Sequence, residues 1–337
     1  MNQTKPATPV LLLAAAAVLA GCGGAMTPAS RTAASSQSID AHVAAAKAAA
    51  GSDFTNLMPL CTAPPLTEPT PEAVNKVIAT QIARPPPAPG KAFDNLYFLG
   101  AAWASAWAID TPDGIILLDA LNNKDEAALL IEGGMRKLGL DPARIKTIIV
   151  SHGHGDHYGG APYLAAKYKA RVVMSDLDWT MTETKLDFDS PSWDPAPKRD
   201  ISAKDGDKVT LGGTTVTIYM TPGHTVGTVS PVFDVRAGGE RHRVMLWGGT
   251  AFNFGNKPER LKSYIDSAER MKTLARQQGI DVIISNHPGW DNALPKLDAV
   301  QRQPLPNAFV VGTPSVERAL TVMSECAQAT RDRYALR

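Results

Sequence analysis

His152-Gly153-His154-Gly155-Asp156-His157 places four potential metal ligands within six residues and spaces them with glycine. In a tight loop, imidazoles two positions apart can point to one metal ion while the aspartate and the next histidine point to another. Such nitrogen and oxygen donors suit zinc, whose catalytic sites keep one position open for water. The run follows Ile145-Lys-Thr-Ile-Ile-Val150, a β-branched apolar stretch bounded by polar residues, which reads as a strand. A strand that breaks abruptly into ligand-capable residues is the pattern that decides the fold.

Three further segments repeat it. Thr215–Met220 runs into Thr221-Pro-Gly-His224, Arg243–Trp247 into Gly248-Gly249-Thr250, and Asp281–Ser285 into Asn286-His287-Pro288. Ligand sites of α/β sheets lie beyond strand ends, where loops converge, so four such ends can build one site. Of seven histidines, three lie in the run and two, His224 and His287, end strands. His42 and His242 are left over and are expected to be solvated.

Around these strands, Leu96–Leu99 and Ala104–Ile109 read as a β-meander with Asp113-Gly114 as its turn, followed by a strand over Gly114–Asp119. Helical periodicity fits Lys124–Leu138, Ala161–Lys169, Pro258–Gln278 and Ser315–Arg331. Strands and helices alternate as in a layered α/β domain.

The run H-x-H-x-D-H, followed by Thr221-Pro-Gly-His224-Thr and by Asn286-His287-Pro288, resembles the metallo-β-lactamase superfamily, and most of all its subclass B3. The likeness extends from Phe93 to about Ala329 and includes Phe93–Gly100, Asp205–Gly212 and Pro306–Gly312. It implies a four-layer αββα sandwich with a dinuclear zinc site at one edge. Carried over position by position, His152, His154 and His224 hold the first zinc, and Asp156, His157 and His287 hold the second. In the glyoxalase II and lactonase branches an aspartate in a Gly-Asp-x-Leu-Phe-like turn bridges both metals. Here that turn reads Gly248-Gly249-Thr250-Ala251-Phe252, and the carboxylate is missing. The subclass B1 cysteine ligand is missing as well, so the six-ligand B3 pattern fits best. One departure stands out: some B3 enzymes place serines in this turn, and only Thr250 is left here to bind a substrate carboxylate.

The function implied is hydrolysis of a small molecule, a β-lactam ring first of all, by a zinc-bound hydroxide oriented by Asp156. A lactone or ester hydrolase on the same metals is the second reading, and a zinc-binding lipoprotein without catalysis the third. Tyr158 and Trp290, beside ligands, are expected to line the cleft with Thr250, and Trp103 is a further candidate. Ser151 is expected to be structural.

Residues 1–22 read as a leader: Lys5, an apolar run over Val10–Ala20, then Leu19-Ala20-Gly21-Cys22. The run is shorter than the ~20 apolar residues that span a bilayer. The ending resembles a bacterial lipobox, with Cys22 as the lipid-bearing residue; an ordinary cleaved signal is the alternative. Gly23 after Cys22 lacks the aspartate of inner-membrane retention, which leans to the outer membrane, facing the periplasm. Residues 23–90 read as a tether and N-terminal extension, with a weak Ala-rich helix over Ala41–Ala50 and Pro-rich connectors. Residues 91–337 read as the metallo-β-lactamase domain that the resemblance implies. Cys61 and Cys326 remain as an even pair in an oxidising compartment, either bridged or as two free buried thiols. With 34 basic and 33 acidic residues and no basic stripe, nucleic acid is not an expected partner.

Overall fold

Two sheets meet along their faces in a computed structural model that describes Met1, residues 28–65 and residues 70–336. Cys22 and the leader, apart from Met1, lie outside the described residues. The first sheet follows chain order: β1 Gly90–Phe93, β2 Leu96–Phe98, β3 Trp107–Thr111, β4 Gly114–Leu118, β5 Ile145–Ile149, β6 Arg171–Ser175 and β7 Ile201–Ala203. Its first four strands are antiparallel; β4 to β7 run parallel, with helices in the crossovers. The second sheet holds β8 Lys208–Leu211, β9 Thr214–Met220, β10 Val229–Ala237, β11 Glu240–Trp247 and β12 Val282–Ser285. Only β11 and β12 are parallel in it, with Trp247 opposite Ser285.

Alternation along each strand sorts the core into three layers, because successive side chains point to opposite faces. On β5, Ile149 faces the second sheet while Ile148 faces the helices outside, and an irregularity in the pairing with β4 turns Ile145 outward as well. On β11, Val244 and Leu246 point inward, and Met245 and Trp247 point out. The inner layer is closed by Phe98, Trp107 and Phe233. Helices 124–137, 161–168 and 176–184 cover the first sheet; Pro258–Gln278 and Thr313–Ala335 cover the second. This is the αββα order expected. Burial on both faces explains why these strands read as unbroken apolar runs.

All four strand-to-ligand segments are strands. β5 with β4, and β9, β11 and β12 with one another, end at one edge, where Val229 N donates to Ser151 O at 2.9 Å and joins the two sheets.

Three readings change. Helix 124–137 is not uniform: Ala127–Glu132 forms a π-helical turn ahead of Gly133-Gly134, where helix propensity is weakest. The segment read as a tether is folded for much of its length. Helix Pro28–Ala50 lies on Thr313–Ala335 with Ala46 and Ala50 buried, Thr55–Cys61 packs beside it, and Thr70 caps an unexpected helix, Pro71–Ile82. His42 and His242 are not solvated: each is half-buried, with Nδ1 2.6 Å from Glu325 and 2.7 Å from Asp281 respectively.

Cys61 and Cys326 are joined in a disulfide across 265 positions of sequence. It ties the N-terminal segment to the last helix, as one of the two sequence alternatives held. Closing so long a loop contributes ~5 kcal/mol in the chain-entropy account.

Candidate metal centre

At the shared edge the chain brings six ligand-capable side chains into two groups of three: His152, His154 and His224, and Asp156, His157 and His287. Val150 and Ser151 leave the end of β5, and the chain turns so that His154 N donates to His152 O at 3.0 Å. A short helical turn, Gly155–Tyr158, then lifts Asp156 and His157 to the other side. Glycine at 155 is dictated by close approach: a β-carbon there would meet the Trp193 ring at 2.3–2.5 Å.

In the first group His152 Nε2, His154 Nδ1 and His224 Nε2 lie 3.0, 3.1 and 3.2 Å apart. These separations do not form a hydrogen-bonded triangle. His152 Nδ1 donates to Gly248 O and His224 Nδ1 to Ala251 O, both at 2.7 Å. Neutral imidazole has one N–H, so both Nε2 atoms carry lone pairs and face each other at 3.1 Å. Facing lone pairs repel unless a cation lies between them. Tetrahedral zinc with bonds of ~2.0–2.1 Å sets its ligands about 3.3 Å apart, close to what is found. Burial first, and then the neighbouring imidazoles, hold His152 and His224 well below the ordinary histidine value. The group fits a divalent metal.

The second group is charged differently. Asp156 Oδ2 lies 3.3 Å from His157 Nε2 and 3.6 Å from His287 Nε2. His157 Nδ1 sits 2.9 Å from Asp119 Oδ2, and His287 Nδ1 donates to Trp103 O. Burial opposes charge on His157, but Asp156 and Asp119 outweigh it and push the imidazole up to about 10. Burial likewise opposes charge on Asp156, and His157 pulls it far below the usual carboxylate range. A metal here would replace a proton on His157 Nε2, the nitrogen that faces Asp156.

Outer partners lock these orientations, as metal-site histidines require. Asp119, just past β4, accepts from Ser151 N at 2.6 Å and Ser151 Oγ at 2.8 Å while facing His157. Ser151 is thus structural, as expected. Asn286 Nδ2 donates to Gly248 O at 2.7 Å, the carbonyl that also orients His152. Buried Asp178 accepts from Gly153 N, Thr225 Oγ1 and Gly227 N, pinning both ligand loops together. Asp187 accepts from Arg260 at 2.6 Å and lies 3.9 Å from His154 Nε2. Asp119 and Asn286 were visible as polar strand ends; Asp178, Asp187 and Arg260 carried no comparable mark.

The expected substrate contacts fare less well than the ligands. Tyr158 is 1% exposed and fills the layer outside the first sheet, so it does not line the cleft. Thr250 is equally buried, with Oγ1 3.5 Å from Ser285 Oγ, because the turn folds back onto β12. Trp290 is carried by the turn Pro288–Asp291 onto the outer cluster near Phe54 and Leu57. Aromatic rings do flank the ligands: Trp103, the further candidate, lies 5.5 Å from His287, and Phe188, not foreseen, 4.5 Å from His154.

Fold and ligand geometry together define a metallo-hydrolase scaffold. Residues 104–236 match the model of the metallo-beta-lactamase superfamily. Among solved structures it is similar to BJP-1, a subclass B3 metallo-beta-lactamase of Bradyrhizobium japonicum, with 28% identity and a TM-score of 0.63 over 73% of this chain and 94% of that one. Native FEZ-1 metallo-beta-lactamase from Legionella gormanii shares the fold, with a TM-score of 0.62 and 23% identity over 70% and 93% of the two chains. Curated relatives are hydroxyacylglutathione hydrolases. That of Rhodopseudomonas palustris (strain BisB5) is 35% identical over 33% of this chain and 36% of its own. That of Methylobacterium sp. (strain 4-46) is 28% identical over 42% and 49%. The match thus spans between about a third and a half of those relatives' length.

Proposed function

We propose that the chain is a two-zinc hydrolase that opens β-lactam rings. One observation carries this over the superfamily's other activities: six ligands in two groups, with no carboxylate in the Gly248–Thr250 turn. The packing accounts for that absence. A β-carbon on Gly249 would meet His224 at 2.5–2.9 Å, so a side chain there would displace a ligand of the first group.

His152, His154 and His224 would hold one zinc, and Asp156, His157 and His287 the other. Bound zinc supplies an acidified water, with a pKa near 7, and polarises a carbonyl oxygen. The chain's own part is to fix the donors. Gly248 O and Ala251 O set the tautomers of His152 and His224, and Trp103 O does so for His287. Asp119 keeps the Nε2 of His157 toward Asp156, and Asp156 remains anionic at neutral pH to orient a nucleophilic water. Trp103 beside the second group and Phe188 beside the first offer apolar walls for a small ring substrate.

The test is turnover. The zinc-loaded chain is assayed against a penicillin, a cephalosporin, a carbapenem, a lactone panel and hydroxyacylglutathione. β-Lactam opening is the expected dominant activity; lactone or thioester turnover without it overturns the reading. The curated relatives support that second reading, and the empty turn speaks against it.

The same proposal places the enzyme outside the cytoplasm, anchored by lipid on Cys22 and facing the periplasm, in the outer membrane. The Cys61–Cys326 disulfide supports export, since such bonds persist in oxidising compartments. Cys22→Ala is expected to move the protein from the membrane to the soluble fraction.

A further inference from the structure

Past the turn Pro288–Asp291 that follows His287 lies a cavity of about 270 Å³. The N-terminal segment supplies one wall with Asp53, Phe54 and Asn56; Asp291, Asn292, Lys296, Val311 and Ser315 supply the rest. Asp291 and Lys296 also border a small apolar recess beneath it, lined by Leu57, Trp247, Ile283 and Trp290 among others. Folding of the extension onto the domain therefore creates the hollow.

Its charges are unevenly matched. Asp53 is taken by Arg318. Asp291 accepts from Ser285 N at 2.9 Å and Ala293 N at 3.1 Å, and burial pushes it up to about 7 despite Lys296. Lys296 has no such partner. Its ammonium lies 5.5 Å from the Phe309 ring and makes no hydrogen bond or ion pair among the described residues. Burial draws it below the ordinary lysine value, against the pull of Asp291. Asn56 donates to Trp290 O at 2.7 Å, while its Oδ1 is buried without a partner among the described residues. A half-buried cation without an ion-pair partner, open to the cavity beside the apolar surface of Phe54 and Val311, makes a small site with orientation.

We propose that this cavity binds a small monocarboxylate carrying a short apolar group, its carboxylate on Lys296 and its tail against Phe54 and Val311. The fit is to the missing acceptor: a carboxylate supplies the charge-assisted hydrogen bonds that Lys296 lacks. Nothing in it depends on zinc or on the hydrolytic reading.

The full mature chain is titrated, with and without zinc, with benzoate, benzamide and benzylamine, read by tryptophan fluorescence and saturation-transfer NMR. Benzoate is expected to bind one-to-one with a dissociation constant on the order of 1 mM, ahead of benzamide and benzylamine. Lys296→Met should weaken it about tenfold or more. Val311→Trp keeps the charge but fills the volume, and should abolish binding even if the lysine variant folds poorly. Equal binding of the three probes, binding unchanged in Lys296→Met, or no saturable binding overturns the proposal and leaves a solvent-filled hollow.

Discussion

The two ligand groups sit side by side yet solve the problem of presenting donors in opposite ways. The first is made of three imidazoles, two of them held neutral by burial and by carbonyls that fix their tautomers. The second mixes charges: Asp156 and Asp119 flank His157 and raise its pKa, with half-buried His287 beside it. The first group turns lone pairs toward one another, while the second sets carboxylates that favour a proton around His157. Metal binding relieves strain in one and competes with a proton in the other.

The strongest way to break this contrast is at a ligand of the first group. His152→Ala should remove one metal by elemental analysis and lower turnover by more than the ~10–100-fold typical of an outer partner. Retention of two tightly held metals would refute the assignment. Next comes pH. His157 holds its proton up to about 10, so metal binding to the second group releases a proton throughout the neutral range. Raising pH from 6 to 8 should therefore tighten that site by about tenfold per unit. His152 and His224, already neutral, should leave the first site nearly flat from pH 7 upward. Chelator-competition titrations at three pH values read both sites, and equal slopes would show that the groups do not differ.

Asp119→Asn should weaken the second site by ~10–100-fold and flatten its pH slope, since it removes one of the two anions holding the His157 proton. The smallest effect is expected from Gly249→Ala. Its added methyl meets His224 at 2.5–2.9 Å and should tilt that ring, costing the first site about tenfold in affinity and the second nothing. Equal losses at both sites would mean that the loops move as one.

What the sequence made legible follows the same division between local and distant causes. The ligand strands were readable because burial on both faces writes long β-branched runs, and because polarity changes sharply where each strand meets the edge. The six ligands stood out for the same reason. Asp178 and Asp187 did not, since their partners lie far along the chain and only the fold brings Gly227 and Arg260 to them. Tyr158 and Thr250 misled because adjacency in sequence to a ligand does not set the direction of a side chain: a helical turn sends one into the core, and a tight loop folds the other onto β12. The extension misled because alanine and proline carry little periodic signal, although the helix face holding Ala46 and Ala50 is buried.

The Cys61–Cys326 bond makes most of the polypeptide a covalent ring, closed across 265 positions of sequence. A protease that cuts any one loop inside that ring separates no fragments. Both pieces stay attached at the disulfide, and the ligand strands remain held by two sheets and by the link between the extension and the last helix. A nicked molecule should thus migrate as one species until it is reduced, and can keep its metal centre assembled after the chain itself is no longer continuous.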